Sequence, residues 1–464
     1  MKRVSTFALA LTLSPALCAA FAVGARAQAG ARPRTAEGAE RGQDGKPGAA
    51  GAADAKASDA KPSEAQALYE EASQYATRKF DEFRQKQMPY DPLLEQKTLQ
   101  EQRDLALQHA ARLAARAPLR GTDLYYSGLL YSLAGKGEGA LDSMRKFLAD
   151  AEPVPDGLKQ RARSVTAQQA AQLGLMEEAE RSLADYTKSE PRNVAELHRM
   201  NLLLASAYAK KKEYARAAAP AAEAYKAALD YARTAADPVQ RDSTIFSAGS
   251  FYSNLLVKAG RREEGVRVAQ EMRARAVALP SARLYGQATE LLLRQGEPFS
   301  LPPEVAGLEP PPSPEITVAE LIGQGPVKLS ELRGKVVLLD FWATWCTYCV
   351  KTMPRLNALQ QKYKDRGLVI VGINEFEGNI RGEPATRAQE LEYFRQFKRR
   401  MNVTYDFAVA ADARNDGPYG VAGLPTAVLI DRRGRIRFIS VSASDDEAEL
   451  LKKMLLKLLD EPAP

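Results

Sequence analysis

The spacing of apolar residues changes once along this chain, across seven prolines (Pro298, Pro302, Pro303, Pro310, Pro311, Pro312 and Pro314) within residues 296–315, which read as a stiff, extended Pro-rich linker. Before that run, from Ser63 to about Gln295, Ala, Leu and Tyr recur at three- and four-residue intervals between charged positions, the period of an amphipathic helix. After it, short strand-like runs alternate with helical ones. One layer architecture does not accommodate both patterns, so a helical region followed by an αβ region is expected. A chain of 464 residues is long enough for two or three compact units.

Breakers at Pro89, Pro118, Pro153, Pro155, Pro191 and Pro238 divide residues 64–295 into helices of workable length. Four joints resemble one another: Gly137-Glu138-Gly139-Ala140, Glu177-Glu178-Ala179, Glu213-Tyr214-Ala215 and Glu263-Glu264-Gly265. A small residue at each joint (140, 179, 215 and 265) lets paired helices pack closely. The region resembles a degenerate tetratricopeptide-type array, in which stacked helix pairs bury a continuous core and leave a concave face. That resemblance implies a docking surface for a protein or peptide partner; a helical spacer or a dimerisation domain is the alternative. Tyr125, Tyr126, Tyr131 and Tyr208 read as repeat core.

The N-terminus carries Lys2 and Arg3, an apolar run over residues 4–23, and then Ala25-Arg26-Ala27. A basic end, an apolar middle and an A-x-A site read as a secretory signal peptide over residues 1–27, cleaved before Gln28. If retained, the same run would serve as a membrane anchor. Residues 28–63, rich in Ala, Gly, Lys, Asp and Pro, hold almost no large apolar side chain. They are expected to be a disordered tether, because too little surface is available to offset ordering entropy. Loss of Lys2, Arg3 and Arg26 lowers the formal charge of +7 to +4. That excess is too small to argue for nucleic acid or an anionic membrane.

Cysteine usage is sparse: Cys18 in the apolar leader, then Cys346 and Cys349. Cleavage leaves a single CxxC pair. The two histidines, His109 and His198, lie far from it in sequence, and a structural zinc site needs about four ligands. No metal and no cofactor is expected. An exported protein with one such pair points to redox chemistry.

In the αβ region, Val336–Phe341 reads as a buried strand and Cys349 to about Arg366 as a helix. Leu368–Ile373 is a strand, Ala385–Met401 a helix and Ala427–Ile430 a strand. An Arg433-Gly434 turn leads to a strand over Arg435–Val441, and Asp445–Leu459 is the last helix. The stretch Phe341-Trp342-Ala343-Thr344-Trp345-Cys346-Thr347-Tyr348-Cys349 places the pair where a strand ends and a helix begins. There the free N–H groups and the helix dipole stabilise a Cys346 thiolate. Cys349, three residues on along the same face, can pair with it reversibly.

These residues, with Met353-Pro354, Tyr419-Gly420-Val421-Ala422-Gly423-Leu424-Pro425-Thr426 and Leu429-Ile430-Asp431-Arg432-Arg433-Gly434-Arg435-Ile436, resemble the thioredoxin superfamily. Within it, they resemble the exported TlpA/ResA-type thiol–disulfide oxidoreductases, over about residues 316–460. The resemblance implies a thioredoxin-like α/β fold and a cis peptide at Leu424-Pro425 beside the active site. It also implies a disulfide-containing protein substrate and an upstream reductant such as a membrane thiol relay. Tyr348 stands where the family commonly has proline. Asp340 matches the buried acid of thioredoxin, at a position where TlpA/ResA-type proteins usually carry asparagine. Glu377 falls near an acid of the ResA-type branch, with Glu375 as the alternative register.

The expected cycle has Cys346 attack a substrate disulfide and Cys349, deprotonated by Asp340 or Glu377, resolve the mixed disulfide. Trp345, Leu424 and Pro425 would form the docking surface. A disulfide-donating oxidase and a repeat-based adaptor with a redox-sensing domain are the rival readings. A peroxidase is disfavoured by the tryptophan-flanked CxxC.

Overall fold

The computed structural model describes residues 62–462 except 117, 306, 326 and 327. The expected export signal and nearly all of the tether lie outside the described residues. Among the described residues before the prolines, eleven helices, α1 to α11, run from Glu64 to Arg294. Local chemistry sets their starts. Asp237 caps α9 (Pro238–Lys258) by accepting from Val239 N at 2.9 Å, with Pro238 in the first turn, where its missing N–H costs nothing. Pro153, Pro155 and Pro191 fall in connections, as breakers should.

Each of the four joints opens the second helix of a packed pair. The pairs are α3 (Gly121–Leu133) with α4 (Gly137–Ala149), α5 (Asp156–Leu173) with α6 (Met176–Lys188), α7 (Val194–Lys210) with α8 (Tyr214–Ala232), and α9 with α10 (Arg262–Ala278). The small contact residue is the fourth of that helix: Ala140, Ala179 and Gly265 in three cases. In the joint at 213–215 the sequence reading is two residues out of register. Ala215 is exposed, and fully buried Ala217 takes its place. The reason for a small residue is plainest at Gly265, where a Cβ would come within 2.7 Å of the Ser253 carbonyl oxygen of α9.

The C-terminal domain is a six-stranded mixed sheet in the order β1-β6-β3-β2-β7-β8. These are β1 (Glu320–Ile322), β2 (Val336–Phe341), β3 (Leu368–Glu375), β6 (Asp406–Ala410), β7 (Thr426–Ile430) and β8 (Ile436–Ser440), with a small hairpin of β4 (Asn379–Ile380) and β5 (Glu383–Pro384) outside it. β2 pairs parallel with β3 and antiparallel with β7, and every β2 residue is buried. Helices α12 (Thr347–Tyr363), α13 (Arg387–Arg400), α14 (Asp416–Tyr419) and α15 (Asp445–Asp460) complete the domain.

β8 is an edge strand, and the helical region packs against it. Tyr285 of α11 (Ala282–Arg294) meets Phe438 of β8 edge-on, with ring centroids 5.9 Å apart, and both rings are buried. Burying a side chain of that size contributes about 2–3 kcal/mol. One apolar core therefore runs from Ala218 and Tyr225 through Tyr285 and Phe438 to Leu459. The expected stiff proline spacer is tied down at both ends. Buried Arg273 of α10 donates to Ser300 Oγ (2.9 Å), while Ser313 N donates to Gly434 O (2.8 Å) and Pro312 forms a β-bridge with Arg435. A proline stretch read as extended becomes a strap here, because surfaces on both sides offer it hydrogen-bond partners.

Candidate active site

Strand β2 delivers the chain to a turn in which Trp342 is buried against Phe397 (centroids 5.1 Å apart) and Phe407 (4.6 Å). Gly372 of β3 makes room, since a Cβ there would lie 2.8 Å from the Phe407 ring and 2.9 Å from the Trp342 indole nitrogen. Cys346 follows as the N-cap of α12, with its Sγ accepting from Cys349 N at 3.1 Å. The two cysteines are joined as a disulfide, with Cα atoms 5.3 Å apart. Cys346 is 5% exposed and Cys349 0%, so an incoming sulfur can reach only the first. The N-cap position directs free N–H groups at the sulfur that would carry charge after reduction.

Two large side chains stand out from the surface beside this disulfide, Trp345 at 66% and Tyr348 at 63% exposure. They are the only exposed large apolar residues of the C-terminal domain among the described residues. Trp345 Nε1 donates to Glu377 Oε1 at 2.6 Å. Glu377 is held in place through its backbone: its N–H and that of Gly378 donate to the carboxylate of Glu390 (2.8 and 2.9 Å), which α13 buries. Burial pushes the Glu377 carboxyl above its ordinary range, the Trp345 bond opposes this, and nearby Glu390 adds to it. Glu375, half-buried near Asp416, Glu377 and Asp412, is pushed up to about 7, chiefly by burial.

Asp340 lies inside β2 at 1% exposure. Burial pushes its carboxyl up to about 7, against the opposing effect of a hydrogen bond donated by Tyr405 Oη at 3.3 Å. A cavity of about 390 Å³ between α12, α15 and the sheet reaches both Asp340 and Pro425; its walls include Leu356 and Leu451, and Arg355 and Lys452 also line it. The Leu424–Pro425 peptide is cis, as the resemblance implies. Sequence reasoning thus named Cys346, Cys349, Trp345, Asp340, Leu424, Pro425 and Glu377. The structure groups Asp340 with Pro425 at one cavity and Trp345 with Glu377 at the disulfide rim. It adds Tyr405 and Glu390, which the sequence reading missed. Tyr405 was detectable as part of an apolar alternation after Asn402, whereas nothing local distinguishes Glu390 from the other charges of α13.

Residues 312–439 match the AhpC/TSA family. The chain is 33% identical over 124 residues to the thiol-disulfide oxidoreductase ResA of Bacillus thuringiensis strain Al Hakam, covering 27% of this chain and 64% of that protein. It is 30% identical over 146 residues to ResA of Bacillus thuringiensis subsp. konkukian, covering 32% of this chain and 76% of that one. It also aligns with the crystal structure of a thiol:disulfide interchange protein of the thioredoxin family from Chlorobium tepidum TLS, at 22% identity and a TM-score of 0.27, covering 32% of this chain and 97% of that one. The match therefore spans just under two thirds of the first of these relatives. Among the described residues no helix is long and apolar enough to cross a membrane. With a disulfide at the N-cap of α12, set on a mixed sheet and followed by the cis Pro425 loop, the chain belongs through its C-terminal domain to the ResA-type thiol-disulfide oxidoreductase family.

Proposed function

We propose that this protein is an exported reductase of protein disulfides, cycling between the Cys346/Cys349 dithiol and disulfide. The observation that carries the reading is the asymmetry of the pair: Cys346 is slightly exposed at a helix N-cap and Cys349 is fully enclosed. In the reduced form the Cys346 thiolate attacks one sulfur of a client disulfide. A Cys346–client disulfide forms, and the other client sulfur leaves as a thiolate that takes up a proton. Asp340, ionised in part at neutral pH, accepts the Cys349 proton. The Cys349 thiolate then attacks Cys346 Sγ, forming the internal disulfide and releasing the second client thiolate. Two electrons pass to the client, and an external thiol reductant, such as a membrane relay, returns them.

The exposed Trp345 and Tyr348 supply the contact area a polypeptide client needs, and by the family resemblance the cis Leu424–Pro425 peptide, whose proline lines the cavity that reaches Asp340, completes the docking surface. Export is supported by the leader-like residues 1–27 and by the resemblance to ResA-type proteins. Replacing Cys349 with Ala should leave clients trapped on Cys346 as mixed disulfides that mass spectrometry identifies. Replacing Cys346 as well should abolish trapping, and traps that persist in the double variant would refute the assignment. Direction is set by the reduction potential: a value near about −270 mV fits a reductase and one near about −120 mV a disulfide donor.

A further inference from the structure

The helical region touches the loop that carries Pro425. Gly420, five residues before that proline, has φ +57°, and a Cβ on it would lie 2.9 Å from Ser281 Cα. Its carbonyl oxygen accepts from Arg283 N at 2.8 Å, one of the N–H groups that the first turn of α11 leaves without an intrahelical partner. Ser281, fully buried, donates to Asp242 Oδ2 (2.5 Å) and caps α11 by accepting from Leu284 N (3.0 Å). Asp242 accepts from Arg241 Nε at 2.9 Å, and Arg241 also donates to Leu279 O at 3.2 Å. The chain Arg241–Asp242–Ser281 therefore orders the turn that meets the loop. On the other side, Tyr419 Oη bonds Ser313 Oγ (2.8 Å) and Pro314 O of the strap. Beyond these fixed points Ala422 and Gly423 are exposed.

Resting on the reductase reading, we infer that the helical region is part of the client-binding apparatus. Asp242 and Ser281 are positioning residues that set the Pro425 loop through Gly420, and the ligand they serve is an extended polypeptide bearing the disulfide. The domains are held together elsewhere, by Tyr285 on Phe438 and by Gly286 beside Val441. The Gly420 contact is thus not needed merely to join them. A small disulfide that meets only Cys346 should not sense the loop, whereas a polypeptide laid along it should.

The test uses the full chain, because the two regions share a core. Initial rates are measured with insulin as the protein disulfide and with 5,5′-dithiobis(2-nitrobenzoate) as the small one, alongside the reduction potential. Gly420→Ala forces a side chain against the Ser281 backbone and should raise KM for insulin about tenfold. Ser281→Ala should raise it about threefold. In both, kcat, the small-disulfide rate and the potential should stay within twofold of wild type. Gly286→Ala, whose Cβ would lie 3.3 Å from Val441 Cγ2, perturbs the interface away from the loop and should leave KM unchanged. Should Gly420→Ala fail to fold, Ser281→Ala against Gly286→Ala decides alone. An unchanged insulin KM in Ser281→Ala, or an equal rise in Gly286→Ala, overturns the inference while the reductase reading stands. A wild-type chain inert toward both disulfides overturns that reading and the inference with it.

Discussion

Each region of the molecule buries one aspartate to 1% exposure, and the two are treated differently. In the helical region Asp242 has a guanidinium beside it and a hydroxyl aimed at it, from Arg241 and Ser281. In the C-terminal domain Asp340 has only the Tyr405 hydroxyl, at 3.3 Å. A buried carboxylate with full partners is ordinary architecture; one without a cation resists ionisation and holds its proton to an unusually high pH. Exposed apolar side chains divide the same way. On the helical region they fall largely near helix ends, such as Tyr90, Leu175 and Val194, while on the C-terminal domain Trp345 and Tyr348 flank the disulfide. Chemistry is therefore concentrated in the smaller region, and the larger one contributes packing and position.

Replacing Asp340 with Asn tests the contrast most severely. Its folded-state carboxyl is raised to about 7, so between about pH 4 and 7 the folded chain keeps a proton that the unfolded chain has released. Stability from this group is full below the unfolded value and declines as pH rises through the folded one. The shift corresponds to about 4 kcal/mol, an order-of-magnitude figure. Asp340→Asn should stabilise the oxidised chain by that order at pH 8 and by almost nothing at pH 4, read from guanidinium unfolding midpoints at the two pH values. It should also slow resolution of the mixed disulfide at neutral pH by about 10²-fold, the range for loss of a general base. A variant with wild-type resolution kinetics across pH would remove Asp340 from the mechanism.

Asp242→Asn should move stability the other way. Removing one partner of a largely buried ion pair leaves Arg241 without its counter-charge and costs about 3 kcal/mol. The rate of mixed-disulfide resolution should not change. If this substitution stabilised the chain at high pH as Asp340→Asn does, the distinction between a paired, positioning acid and a proton-transferring one would collapse.

How far these regions could be read from sequence also differs, for a physical reason. Val336–Phe341 was legible as a strand because six consecutive residues are buried, and the N-cap at Cys346 followed from the strand-to-helix switch. β6 escaped notice because Asp406-Phe407-Ala408-Val409-Ala410 opens on a charged residue and contains two alanines, which weakens its strand signal. β1, with three residues, is defined only by its pairing to β6. In the helical region alanine is so common that periodicity located all four joints but left one of them two residues out of register, hence Ala215 for Ala217. What no local pattern could reveal is the junction. Tyr285 and Phe438 lie 153 positions apart in sequence, and each looks like the core residue of its own element. The same holds for Arg283 and Gly420.

The smallest effect concerns the disulfide rim. Trp345 and Trp342 are the only tryptophans, one exposed and one buried, so indole emission reports on the C-terminal domain alone. The Trp345–Glu377 bond has an ionisable acceptor whose carboxyl is raised chiefly by burial. Lowering the pH from neutrality should protonate it, weaken a charge-assisted bond and free the indole. An emission change with a midpoint above the ordinary glutamate range is expected in wild type. It should vanish in both Glu377→Gln and Trp345→Phe and persist in Asp340→Asn. Gln keeps an acceptor oxygen without the charge, so client KM should rise only about twofold, the scale of a few tenths of a kcal/mol. An emission titration that survives Glu377→Gln but disappears with Asp340→Asn would mean that buried Trp342 is the reporter. Glu377 would then be ordinary rim architecture.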